Sequence, residues 1–154
     1  MNFELHPNLQ SKAFIADLPL CRILLEDDMH YPWLLLVPRR PDILRIMDLV
    51  PEDQLQLLKE LDLAQKILWQ LFNPSQLNVA AIGNKTPQLH IHVIARSTND
   101  PAWPHTVWEQ PRIPYSVEKK DTLLKLLIKN FGVDFGCNPH QNEKGKEAYA
   151  KIYG

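Results

Sequence analysis

The stretch Gln88-Leu89-His90-Ile91-His92-Val93-Ile94 decides how this chain reads. In an extended strand alternate residues face the same way. Leu89, Ile91, Val93 and Ala95 therefore form an apolar row, and Gln88, His90 and His92 form the opposite one. The apolar row is expected to pack beneath helices. That leaves two imidazoles on the other face with Cα atoms about 6.6–6.8 Å apart, two residues of strand rise. A phosphate can lie across such a pair. With an ordinary pKa near 6.5, one ring can act as an uncharged nucleophile while the other is a protonated donor. On spacing alone the pair also reads as satisfied surface residues. A further reading makes it two ligands of zinc or another divalent ion, completed by Glu109 or His105.

Working outward, Leu77 to Ile82 reads as a neighbouring strand, and Gly83 to Pro87 (GNKTP) joins the two as a hairpin. Before them, Pro51 stands where a helix accepts proline, with Glu52 and Asp53 in the first turn to suit the positive end of the dipole. Leu57, Leu61, Ala64, Leu68, Leu71 and Phe72 then recur at spacings of three and four, an amphipathic helix that stops at Asn73-Pro74. Further upstream, Cys21 to Glu26 and Trp33 to Val37 read as adjacent strands about a polar turn, Glu26 to His30. The second strand ends at Pro38-Arg39-Arg40-Pro41, whose arginines read as a solvated turn more readily than as an anion site. Downstream, Pro101, Pro104, Pro111 and Pro114 exclude regular structure, so residues 100–115, with Trp103 and Trp108, form an ordered loop. A second helix is expected from Val117 to Asn130, with Ser116 as its N-cap, Leu123, Leu124, Leu127 and Phe131 on one side, and Gly132 closing it. Residues 133–154 read either as a short terminal helix or as partly disordered.

A chain of 154 residues fits one domain, and 45% hydrophobic with 23% charged residues is ordinary globular composition. Seventeen Lys and Arg against 18 Asp and Glu leave a formal charge of −1. No broad field therefore draws a nucleic acid polymer or an anionic membrane, and any anionic ligand must be held locally. Cys21 and Cys137 make no metal or disulfide pattern. The densest apolar run is far too short to span a bilayer, and residues 1–20 carry no leader pattern, so the expected location is cytoplasmic.

Gln88 to Ile94, preceded by a strand, a Gly-Asn turn and a long amphipathic helix, resembles the His-φ-His-φ-His-φ-φ signature of the histidine triad (HIT) superfamily over residues 15–105. The resemblance implies an α+β fold, an antiparallel sheet with a long helix and further helices on one face. Residues 1–112 would be the HIT-like domain and 113–154 a C-terminal helical extension, in a homodimer. It also implies a hydrolase or nucleotidyl transferase that needs no metal or other cofactor. Its substrates would be nucleoside phosphate conjugates of the dinucleoside polyphosphate type. By position, His90 would attack the α-phosphorus to give a nucleotidyl-histidine, and His92 would contact the phosphate oxygens and assist the departing group. Gln88 fills the first histidine slot, where an amide can still orient a phosphate or a backbone group but cannot titrate near neutrality.

By the same resemblance Asn84 would touch phosphate, although a turn asparagine also serves simply to tolerate a left-handed conformation. Trp103, with His105 and Trp108 beside it, would cap the pocket or stack on a base, packing being the alternative role. Family members carry an additional strand and an acidic residue for ribose between the N-terminal strands. Here Asp28 to Trp33 reads as a short turn, so that region is expected to be curtailed. With Gln88, this motivates one more alternative, a nucleotide-binding module without turnover.

Overall fold

The computed structural model describes residues 2–132. In chain order it contains α1 (Pro7–Gln10), β1 (Ala13–Asp17), β2 (Cys21–Leu25), β3 (Trp33–Pro38), a 3-10 turn at Ile46–Asp48, α2 (Pro51–Phe72), β4 (Gln76–Ala81), β5 (Ile91–Arg96) and α3 (Val117–Phe131). The strands form one five-stranded antiparallel sheet in the order β1-β2-β3-β5-β4. The fold is α+β, as the resemblance implies. The alternatives for residues 133–154 lie outside the described residues.

The register divides the sheet into two faces. Leu34 pairs with Val93 and Leu36 with Ile91, and all four join the larger core. Leu35 pairs with His92 and Trp33 with Ile94, and those residues look the other way. Because β3 is covered on both sides, all six of its residues are buried, and its sequence is a continuous apolar run without alternation. On the first face α2 contributes Leu57, Leu61, Ala64, Ile67, Leu68, Leu71 and Phe72, and α3 adds Leu123, Leu126, Leu127 and Phe131. The stripe on α2 is therefore the expected one. Asn73 ends this helix in the left-handed region at φ 44°, and its N–H returns to the Trp69 carbonyl. Ser116 caps α3 through Lys119 N–H.

The second face is covered by α1 and the proline-rich loop. Leu9, Ala102 and Val107 pack with Leu24, Tyr31, Trp33, Leu35, Val37 and Ile94 in a smaller core. The loop is anchored by Arg96, the last residue of β5, which is 2% exposed. Its guanidinium pairs with both oxygens of Asp100 at 2.7 and 3.0 Å and also donates to Asn78 Oδ1 and the His105 carbonyl.

Two sequence expectations are corrected, and one strand is added. The strand expected from Gln88 begins only at Ile91; residues 88–90 leave the ladder, and Leu89 N–H donates instead to the Ile43 carbonyl. A strand that the sequence reading did not place, β1, pairs along β2, while residues 26–32 remain the short connection expected between β2 and β3. Strand β1 escaped a periodicity reading because only Ile15 of its five residues is buried and a bulge at Phe14/Ala16 breaks the alternation. The left-handed position in the 83–87 turn belongs to Gly83, at φ 64°, and Asn84 has no such conformation.

Candidate functional site

His92 reaches the second face from within β5, and His90, one residue before the strand begins, lines the same cavity. Both are nearly buried, at 8% and 7% exposed, and their ring centroids lie 5.1 Å apart. They are held in opposite ways. His90 Nδ1 sits 2.7 Å from the backbone carbonyl oxygen of Gln88. A carbonyl only accepts, so Nδ1 carries the hydrogen, and in the neutral ring Nε2 keeps its lone pair. His92 Nδ1 lies 3.0 Å from Trp33 Nε1. An indole N–H only donates, so this nitrogen carries the lone pair and Nε2 carries the hydrogen. One neighbouring ring thus offers a nucleophilic lone pair and the other an N–H donor.

Burial, reinforced by the charges of His90, Arg112 and Lys12, pushes the His92 pKa down to about 3. His92 is therefore neutral at physiological pH and donates as an uncharged imidazole. The sequence expectation of one neutral and one protonated ring is corrected on this point: the division of labour lies between tautomers, and the chain's own Trp33 enforces it.

The rings line a cavity of about 500 Å³ whose walls come from distant parts of the chain. Asn84, from the hairpin turn, lines it. Trp108 stands edge-on to both His92, at 5.4 Å, and Trp33, at 6.0 Å. Arg112 lies over the Trp33 ring at 4.2 Å, and only its Nη1 donates to protein carbonyls among the described residues. On the far wall Lys12 Nζ bridges both oxygens of Glu26 at 2.9 and 2.7 Å. Sequence reasoning missed Lys12, Glu26 and Arg112 as site residues. Glu26 had a usable signal, an acid at the end of the strand Cys21–Leu25, whereas Lys12 and Arg112 had none beyond their charge.

Two of the sequence-derived residues stand elsewhere. Trp103 is not among the lining residues; its ring lies 5.7 Å from the Arg96 guanidinium, where it packs the anchor of the loop, and Trp108 takes the place at the cavity. The Gln88 side chain turns away toward the N-terminal segment, so the first motif slot serves His90 through its backbone carbonyl. Arg39 and Arg40 also lie outside the cavity, the latter paired with Asp53 at 2.7 and 3.0 Å. A metal centre on His90 and His92 needs a third ligand. Neither His105 nor Glu109 lines the cavity, and among the described residues no group of three His, Cys, Asp or Glu side chains could hold an ion.

Residues 8–99 match the model of the HIT domain. The fold is similar to that of a histidine triad protein from Bradyrhizobium japonicum, with 39% identity, a TM-score of 0.81, and coverage of 84% of this chain and 98% of that one. A histidine triad protein from Marinobacter aquaeolei is 38% identical with a TM-score of 0.82, covering 86% of this chain and 98% of the other. One from Sinorhizobium meliloti is 37% identical with a TM-score of 0.79, covering 83% and 96%. Among proteins with curated descriptions no match is found. A family model spanning more than half the chain and relatives this similar over most of its length agree with the paired imidazoles: the chain belongs to the HIT domain family.

Proposed function

We propose that the chain is a hydrolase or nucleotidyl transferase that cleaves nucleoside phosphate conjugates, of the dinucleoside polyphosphate type, through a covalent intermediate on His90. The observation that carries this reading is the pair of opposed tautomers. The His90 Nε2 lone pair attacks the α-phosphorus, a P–N bond forms, and the P–O bond to the leaving group breaks with its electron pair departing on oxygen. A leaving phosphate needs no proton, so a neutral His92 suffices. Its Nε2–H stabilises charge on a phosphate oxygen, and it adds no competing cation beside His90. As His90 gains positive charge, the Gln88 carbonyl on its Nδ1–H stabilises it. Water then attacks phosphorus, the P–N bond breaks with its electron pair returning to His90 Nε2, and the proton that water loses passes to solvent; an acceptor hydroxyl or phosphate in place of water gives the transferase outcome.

Nucleotide recognition fits the same cavity. Glu26 is placed to accept ribose hydroxyls once Lys12 yields, Arg112 offers free donors to anionic oxygens, and Trp108 supplies an aromatic wall. The proposed assembly is a homodimer through the sheet edge at β4. There Val79 is 42% exposed, Ile82, just beyond the strand, 44%, and Trp69 on adjacent α2 49%. No helix of the described residues is long and apolar enough to cross a membrane. A cytoplasmic location and a preference for small nucleotides over nucleic acid polymers complete the reading.

The test is intact-mass spectrometry after mixing with dinucleoside polyphosphates and acid-free quenching. A mononucleotide adduct that maps to His90 and is missing in His90→Ala is the expected result. Turnover with no adduct and full activity in His90→Ala overturns the mechanism. Tight mononucleotide binding without turnover on any conjugate identifies the non-catalytic module instead.

A further inference from the structure

Gln88 occupies the motif slot next to the reacting histidine, yet its carboxamide is engaged elsewhere. Oε1 accepts from the His6 backbone N–H at 2.8 Å, and Nε2 donates to the Glu4 carbonyl at 2.9 Å. Nearby, Asn8 Nδ2 donates to Thr86 Oγ1 at 3.1 Å and ties the same two segments a second time. Beyond these ties, α1 sets Leu9 into the smaller core at 2% exposed. Asn8, Leu9 and Lys12 then form one wall of the cavity that holds His90. The Gln88 carboxamide thus ties the segment leading into α1 directly to the segment that carries His90.

We propose that Gln88 is a positioning residue whose carboxamide staples the N-terminal segment beside the His90 site, so that this segment completes the nucleotide-binding wall. The inference rests on reading the cavity as a nucleotide site. The chemistry explains the residue type. Joining a backbone N–H and a backbone C=O two residues apart calls for an acceptor and a donor on one small fork, which a carboxamide supplies. An imidazole places its single acceptor and single donor on separated ring edges and has no such fork. His90 meanwhile draws only on the backbone carbonyl of residue 88, which any amino acid provides. On this account, restoring the motif's first histidine harms the site.

The experiment compares the full chain with Gln88→His, Gln88→Met and Gln88→Glu. It uses amide hydrogen exchange in the absence of ligand, and steady-state kinetics on an adenosine dinucleotide. Exchange at residues 6–10 is expected to rise about tenfold in the His and Met variants. It should rise less in Gln88→Glu, which keeps the acceptor for His6 and loses the donor to Glu4. KM is expected to rise about tenfold with kcat changed less than threefold, since the wall is loosened and the orientation of His90 is kept. Unaltered exchange overturns the staple. So does a fall in kcat at constant KM, or faster turnover in Gln88→His. If the wild type proves inert toward every nucleotide, the phosphate reading fails, and the staple stands or falls on exchange alone. Thermal unfolding of each variant confirms that the comparison is between folded proteins.

Discussion

The two faces of the sheet are built by different physics, although they share the same strands. On the helix side Leu34, Leu36, Ile91 and Val93 meet α2 and α3 in a core made almost wholly of aliphatic side chains. Its stability comes from area removed from water, about 25 cal/mol per Å² of apolar surface, and it asks only for hydrophobic shapes of suitable size. On the other side Trp33, Leu35 and Ile94 lie with two imidazoles, under a proline-rich loop without secondary structure of its own. That cover is fixed by directed bonds: Arg96 on Asp100 for the loop and Gln88 on the backbone of Glu4 and His6 for the N-terminal segment. Area makes the first face tolerant, and the polar anchors make the second face exact enough to hold the paired imidazoles in one arrangement. Changes on the helix face should thus affect stability alone, whereas the opposite face should carry both stability and the chemistry of the cavity.

The largest effect expected to sharpen this contrast is on chemistry alone. His90→Ala should reduce turnover on nucleoside phosphate conjugates by about 10⁴-fold while shifting the unfolding midpoint little, by analogy with removal of other covalent nucleophiles. A kinetic assay with a parallel denaturant titration reads both quantities, and a matching loss of stability would erase the distinction between the faces. Next comes the loop anchor. Asp100→Ala leaves the Arg96 guanidinium buried without its carboxylate and should destabilise the fold by about 3–5 kcal/mol, with loosened protection across residues 100–112. If hydrogen exchange there stays unchanged, the loop is held by apolar contact and the two faces are more alike than described.

On the helix face, Leu68→Ala removes a side chain that is 0% exposed and should cost about 2–5 kcal/mol. Once corrected for the fraction folded, kcat should be unaltered, and a drop in kcat of the folded population would show that the faces are coupled. The effect that vanishes near neutral pH, and is the smallest there, concerns His92. His92 has a native pKa of about 3 against roughly 6.5 when unfolded, so as pH falls through 6.5 the unfolded chain takes up the proton first. Stability should fall by about 1.4 kcal/mol per pH unit below 6.5 from this group, and no dependence should come from it above that pH. His92→Gln should flatten that slope by one proton in melts recorded between pH 7 and 4. An unchanged slope would mean that His92 takes up a proton in the native state, against the arrangement with Trp33.

Much of this molecule is legible locally. The 3.6-residue spacing of Leu57, Leu61, Ala64, Leu68 and Leu71 gives α2, and the alternation along β5 gives the orientation of the His92 ring. Ser116 and Asn73 mark helix ends because capping is a property of a few adjacent residues. Strand β1 was illegible for the converse reason, since its single buried residue and its bulge leave no period to detect. The choice between Trp103 and Trp108 was equally closed to sequence reading. Both sit in one loop, and only the position of Arg96 and Asp100 decides which ring packs the anchor and which reaches the cavity.

What the amino-acid order determined alone is therefore whatever follows from spacing along one segment: the two long helices, four of the five strands and a pair of histidines on one face, the α+β class being what the resemblance implied. Tertiary structure decided the protonation pattern of that pair, because the indole acting on His92 is 59 positions away. It also decided that Lys12, Glu26 and Arg112 share a cavity with them, and that the Gln88 side chain faces the N-terminal segment. Spacing fixes direction within an element. A hydrogen bond or a desolvated charge depends on which distant group the folded chain brings within about 3 Å, and no local pattern encodes that distance.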